Sequence, residues 1–218
     1  MTQTMFRLLT ATAVAGCVAV LGQTPVSAAI ISVDTGFGAD TATRDTDSGL
    51  DWLDLTQSFG ALADIEARLA VGGDLEGWRL ATQADVATFW NHAGIAPTSL
   101  DGNFTYTTDA GQVAATLTLF DLVGGTQFNA SLDQAFGYTA ESVSDSEQAA
   151  AALVRLYNRD LDIFDETGAI LGAAFPKTPS VGNAQAAWLI RDAPAVPAPG
   201  ALGLLGLGAL ALAARRRA

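Results

Sequence analysis

All 23 acidic side chains of this chain fall between Asp34 and Asp192, and outside that interval the only charged side chains are Arg7, Arg215, Arg216 and Arg217. The interval carries seven basic residues, a net charge of −16, while both ends are apolar with positive charge only. Such a partition separates one acidic, foldable body from two extremities built for another solvent. It also excludes nucleic acid as a partner, because an acidic surface repels a phosphate backbone. Half of the 218 residues are hydrophobic, and the two extremities inflate that share.

Residues 1–29 have the layout of a secretory signal peptide. Arg7 supplies the positive start, Leu8 to Leu21 the apolar stretch, and Val26-Ser27-Ala28 the small residues before cleavage between Ala28 and Ala29. The apolar stretch is too short for the roughly 20 residues a membrane-spanning helix needs. Val14-Ala15-Gly16-Cys17 also fits a lipobox, which would place a lipid on Cys17. Apolar Val18 to Leu21 follow, however, where a polar tether is usual.

At the other extremity, Val196-Pro197-Ala198-Pro199-Gly200 precedes Ala201 to Ala214, a run of only Ala, Leu and Gly, and then Arg215 to Arg217. The prolines end upstream structure, the apolar run partitions into lipid as a helix, and the arginines hold its far end on the cytoplasmic side. At 1.5 Å per residue the run covers about 21 Å, against a hydrocarbon core of about 30 Å. Such a helix is a marginal permanent anchor and suits transient retention. Residues 196–217 resemble the PEP-CTERM sorting signal of Gram-negative bacteria, with Ala198 where that signal usually has Glu. The resemblance implies export, a short transmembrane helix, and handling by an exosortase at Val196, Pro197 and Pro199 with Arg215, Arg216 and Arg217 as the stop. It further implies bacteria that make an exopolysaccharide matrix.

Between the extremities, residues 30–195 form one acidic domain without cysteine, so packing rather than disulfides must stabilise it. Trp52, Trp78, Trp90 and Trp188 all lie in it and are expected to anchor its core. Thr82-Gln-Ala-Asp85 reads as a capping box ahead of Val86, Phe89 and Trp90, with Gly94 as the stop. Asp109 caps a second helix whose predicted inward face is Val113, Leu117, Phe120 and Val123, ending at Gly124. Leu62, Ile65 and Leu69 mark a shorter helix. Leu50–Leu55, Ala152–Asn158 and Trp188–Ile190 read as strands, and Leu161–Phe164 with Ala169–Phe175 as a hairpin around a turn at Asp165–Gly168. Strands at both ends with helices between them predict an α+β domain whose terminal strands pair.

The segments Thr46–Asp54, Gly77-Trp78-Arg79-Leu80-Ala81-Thr82 and Trp188-Leu189-Ile190-Arg191 resemble the bacterial Lcl C-terminal domain. That family has a "GL-W" start, a "WRLPT" segment and a closing "W-V-R" strand. The resemblance implies a single C-type-lectin-like domain with its N- and C-terminal strands together.

Candidate chemistry is sparse. Asp45, Asp47 and Asp51 form the densest carboxylate cluster and could offer oxygens to calcium, although Gly49 and Thr56 stand where an EF-hand loop needs ligands; Asp and Ser also simply make turns. His92 is the only histidine, which excludes a zinc site built from several His and Cys, and no Gly-x-Ser-x-Gly elbow accompanies it. Its place near a helix C-terminus suits the dipole. Arg79 beside Trp78 could bind a sugar or carboxylate, or make a structural ion pair. Asp160, Asp162, Asp165 and Glu166 could furnish a glycosidase pair, an inference that acid abundance makes cheap. The expectation is therefore an exported, non-enzymatic envelope or matrix component with no obligatory cofactor, whose partners are the secretion machinery, an exosortase, the membrane through its tail, and exopolysaccharide. A secreted polysaccharide hydrolase and a calcium-dependent lectin-like adhesin are the alternatives.

Overall fold

Trp52 and Trp188, far apart in the chain, meet edge to face with ring centroids 6.2 Å apart. The strands around them organise the domain. The computed structural model describes residues 29–129, 131–157, 165–178 and 185–194. Among the described residues, nine strands and three α-helices give a mixed and mostly β architecture. Strands β1 (Ile30–Thr35), β2 (Gly38–Asp45), β3 (Leu50–Leu53), β4 (Arg79–Leu80) and β9 (Leu189–Asp192) form one sheet in the order β1-β2-β3-β9-β4. A second sheet runs β5 (Gln127–Asn129), β6 (Leu132–Tyr138), β7 (Gln148–Tyr157) and β8 (Glu166–Pro176) in chain order. Every pairing of these strands is antiparallel.

The expected strand at Leu50–Leu55 ends at Leu53, where the chain tightens into a 3-10 turn over Leu55–Ser58. It pairs with the closing strand as expected, Asp51 opposite Arg191 and Trp52 opposite Ile190. Two further strands precede it. β1 and β2 carry little apolar alternation, and β1 is the sheet edge, so the first of the described strands lies away from β9.

Helices α1 (Leu62–Leu69), α2 (Gln83–His92) and α3 (Ala110–Val123) fall where the caps and periodicity place them. The α2 capping box is complete: Thr82 Oγ1 accepts from the Asp85 amide at 3.1 Å, and Asp85 Oδ2 accepts from the Thr82 amide at 2.9 Å. Gly124, at φ 73°, caps α3 in a conformation that disfavours any side chain. The buried face of α3 differs from the expected one. Thr116, Leu119, Phe120 and Val123 face inward, while Leu117 is 44% exposed. This i, i+3, i+4, i+7 face is hidden in sequence because Thr116 is polar; its hydroxyl is satisfied by Thr167 Oγ1 at 2.9 Å.

Of the predicted turn at Asp165–Gly168, Glu166, Thr167 and Gly168 are strand instead: Tyr157 pairs with Glu166 and Arg155 with Gly168. The expected strand at Leu161–Phe164 falls outside the described residues. Gly168 serves close approach rather than turning: a Cβ there would come within 2.8 Å of the Thr105 carbonyl oxygen, beside the bridge between Thr107 and Thr167.

β7 separates two apolar clusters. Ala152, Val154 and Leu156 face a cluster containing Trp52, Phe89, Trp90 and Trp188; Ala149, Ala151 and Leu153 face one containing Ile65, Trp78, Phe136 and Tyr138. Buried on both faces, the strand shows a continuous apolar run instead of alternation. All four tryptophans are buried, as expected. Among the described residues no helix is long and apolar enough to cross a membrane. The expected signal segment through Ala28 and the apolar tail at Ala201–Ala214 lie outside them.

Candidate functional site

β2, β3 and β9 are stitched together by one carboxylate. Asp51 is fully buried and accepts from Arg44 Nε at 2.7 Å, Arg44 Nη2 at 3.2 Å and Arg191 Nη2 at 3.3 Å. Hydrogen bonding to Asp51 holds the Arg44 guanidinium in its charged form more firmly than usual, against a smaller desolvation effect. Arg191 also lies over Trp78, 4.4 Å from the ring centroid. The run Arg44, Asp51, Arg191, Trp78 is thus a structural chain across the sheet.

Asp45 is likewise fully buried and belongs to a different group. Burial alone would raise its pKa, but hydrogen bonds from Ser48, His92 and the amides of Asp47 and Ser48 outweigh that and lower it. An ionised carboxylate only accepts, so the His92 Nδ1–H donates to Asp45 Oδ2 at 2.7 Å. Ser48 Oγ donates to the same oxygen at 2.7 Å. Serine and histidine therefore both point at the acid, which is not the order of a nucleophile, base and orienter. His92 is the last residue of α2, as its expected dipole role requires, and it ties that helix to the β2 end.

The calcium arrangement considered for Asp45, Asp47 and Asp51 does not fit this geometry. Arg44 pairs with Asp51, so Asp45, one residue along, points to the opposite face of the sheet. Asp47 is exposed in the turn, and the other two carboxylates are engaged by Ser48, His92 and arginines. Among the described residues no three potential ligands gather around a point that could hold a metal.

Trp78 and Arg79 are not brought together as a binding pair. Trp78 is 7% exposed beneath Arg191, leaving no free ring face for a sugar. Arg79 points away to Asp85 at 3.4 Å, an exposed ion pair worth little. Of the candidate glycosidase acids, Glu166 is buried within β8 and Asp160 and Asp162 lie outside the described residues. The sorting residues Val196, Pro197, Pro199, Arg215, Arg216 and Arg217, and Ala28 at the signal boundary, lie outside them too; Ala29 donates its amide to Thr46 Oγ1 at 2.9 Å.

Asp54 follows β3 with Oδ1 buried and unpartnered. Desolvation, reinforced by the nearby Asp40 carboxylate, pushes its pKa up to about 6. The folded state therefore binds a proton more readily than the unfolded chain. Its stabilisation is complete below the unfolded value of 3.8 and is lost as pH rises through about 6. Asp54→Asn, which mimics the neutral acid, is expected to stabilise the protein at pH 7 by about 1 kcal/mol after allowance for solvent screening of a half-buried group, and to give no gain at pH 4. Urea unfolding at the two pH values checks this; equal effects at both would refute it.

A cleft of about 220 Å³ lies between α1, β4 and the start of β7. It is lined by Leu62 and Glu66 of α1, Leu80 of β4, the connection from Thr139 to Gln148, and Lys177 just beyond β8. The connection is anchored firmly. The Ala140 amide donates to the Ala81 carbonyl at 2.9 Å, and Glu141 Oε1 accepts from the Gln83 amide at 2.6 Å, a carboxylate at the α2 N-terminus. Glu141 Oε2 and Thr139 Oγ1 are buried yet have no hydrogen-bond partner, and Thr139 is only 2% exposed. Buried polar atoms are seldom left so. None of these residues stands out in sequence. The sole signal is the run of hydroxyls and acids at Thr139–Gln148 between two apolar strands.

Residues 195–217 match the PEP-CTERM protein-sorting motif. The chain thus carries an exosortase sorting signal behind its folded domain, and this marks it as an exported exosortase substrate. No curated protein and no solved structure matches the chain.

Proposed function

We propose that this protein is a non-enzymatic component of the cell envelope or extracellular matrix, associated with exopolysaccharide. The observation that carries the reading is the sorting motif at residues 195–217 behind an acidic domain. Asp45 and Asp51, the most deeply buried acids of the cluster singled out in sequence, are spent on holding strands and a helix together, which supports a structural use of that cluster. A high negative charge keeps the exported domain hydrated, and it can meet anionic polymers only through divalent cations. The lectin-like reading of the fold is supported by one juxtaposition: the three resembling segments contribute β3, β4 and β9, which are neighbours in one sheet.

Fractionation of the native host tests the reading. The protein is expected in the envelope or polysaccharide matrix, with an intact mass that reports signal removal before Ala29, cutting near Pro197–Pro199 and any lipid on Cys17. Retention in the cytoplasm would overturn it. So would turnover of a polysaccharide that a single Asp or Glu substitution abolishes, which would make the protein a hydrolase.

A further inference from the structure

The cleft between α1 and the Thr139–Gln148 connection joins a built cavity to unmet hydrogen-bonding capacity. Glu66, Glu141 and Asp145 bring three carboxylates to it, and Lys177 offsets one of them. Asp145 Oδ1 is held by the Glu147 amide at 2.9 Å, which orients that side chain at the rim. Glu141 is oriented by the Gln83 amide through Oε1, so its second oxygen is the one that lacks a donor. Thr139, nearly fully buried, adds an unpaired hydroxyl to the lining. The cleft is also lined by Leu62, Leu80, Val143 and Ala149, an apolar surface without an aromatic ring.

We propose that this cleft binds a single amino-sugar unit of a polysaccharide through its ammonium group. The cleft and such a unit are chemically complementary, and the assignment rests on the matrix association proposed above. Excess carboxylate selects a cation, and a charge-assisted hydrogen bond to a buried oxygen is stronger than a neutral one. The hydroxyls of Thr139, Ser142 and Ser146 match a polyhydroxylated ligand, and the apolar wall matches the C–H face of a pyranose. A cavity smaller than the roughly 300 Å³ that drug-sized ligands occupy limits the occupant to about one ring.

Calorimetric titration of the full chain with a glucosamine oligomer, its N-acetylated form, a glucose oligomer and spermidine tests the assignment. Binding of the glucosamine oligomer alone is expected. Glu141→Gln keeps an oxygen for the Gln83 amide and presents an NH2 to the cleft, so it should fold normally and weaken binding about tenfold or more. Thr139→Val, nearly isosteric, should weaken it by a few-fold. Absence of glucosamine binding, equal binding of the N-acetylated or glucose oligomer, equal binding of spermidine, or unchanged affinity in folded Glu141→Gln would each overturn the proposal. Matrix fractionation of the same variants separates the two readings. A protein that stays with the matrix without binding glucosamine refutes the ligand alone, and one that binds glucosamine but stays in the cytoplasm refutes the matrix reading on which the ligand assignment rests.

Discussion

Trp188→Ala is expected to destabilise the domain by about 3–5 kcal/mol, a large part of the 5–15 kcal/mol typical of a whole domain. Trp188 is 1% exposed, touches Trp52 and Trp90 edge to face, and donates Nε1–H to the Ala152 carbonyl at 2.9 Å. Its backbone joins the sheets: the Trp188 amide donates to the Tyr138 carbonyl at 3.0 Å, and the Ala81 amide donates to the Trp188 carbonyl at 2.8 Å. Removing the ring opens a cavity beside rings that cannot collapse into it. The converse perturbation checks the same contact, since a Cβ on Gly137 would lie 2.6 Å from Trp188 Cδ1. Gly137→Ala should cost about 1–3 kcal/mol through overpacking. Urea unfolding followed by far-UV circular dichroism measures both; a loss below 1 kcal/mol for Trp188→Ala would mean the ring does not organise this core.

Asp51 is the second sensitive point. Asp51→Ala is expected to cost about 2–3 kcal/mol, near the low end for a broken buried pair, because Arg44 and Arg191 remain partly exposed and can turn to water. Removing both arginines should cost more, since the fully buried carboxylate then has neither partner. The order of the two losses is the test. If the double arginine variant were the more stable, the Asp51 charge would have another means of compensation. Arg191→Ala alone also uncovers Trp78, so an increase in Trp78 solvent exposure without unfolding should appear in fluorescence quenching.

Where local chemistry sufficed, the fold was legible. The Thr82–Asp85 box starts α2, Gly124 ends α3, and the four tryptophans are buried, because caps, positive-φ glycines and large apolar side chains act through their immediate neighbours. Where a residue's role depends on what packs against it, the local sequence carries no signal. Thr116 turns inward because Thr167 meets it; Gly168 is a strand residue because the Thr105–Thr107 segment crosses it closely; Trp78 is lost as a sugar platform because Arg191 covers it.

Charge partition along the chain and the order of hinge, apolar run and arginines were enough to establish that this protein is exported and sorted, since a sorting signal is read as a linear segment. The candidate site was decided by tertiary structure alone. Glu66, Leu80, the Thr139–Glu141 segment and Lys177 come from four separate stretches of chain, and only the tertiary fold makes them one surface. Within one sheet, the β2–β3 register sends Asp45 and Asp51 to opposite faces, because side-chain direction in a strand reverses at every residue while register is set by pairing across the sheet.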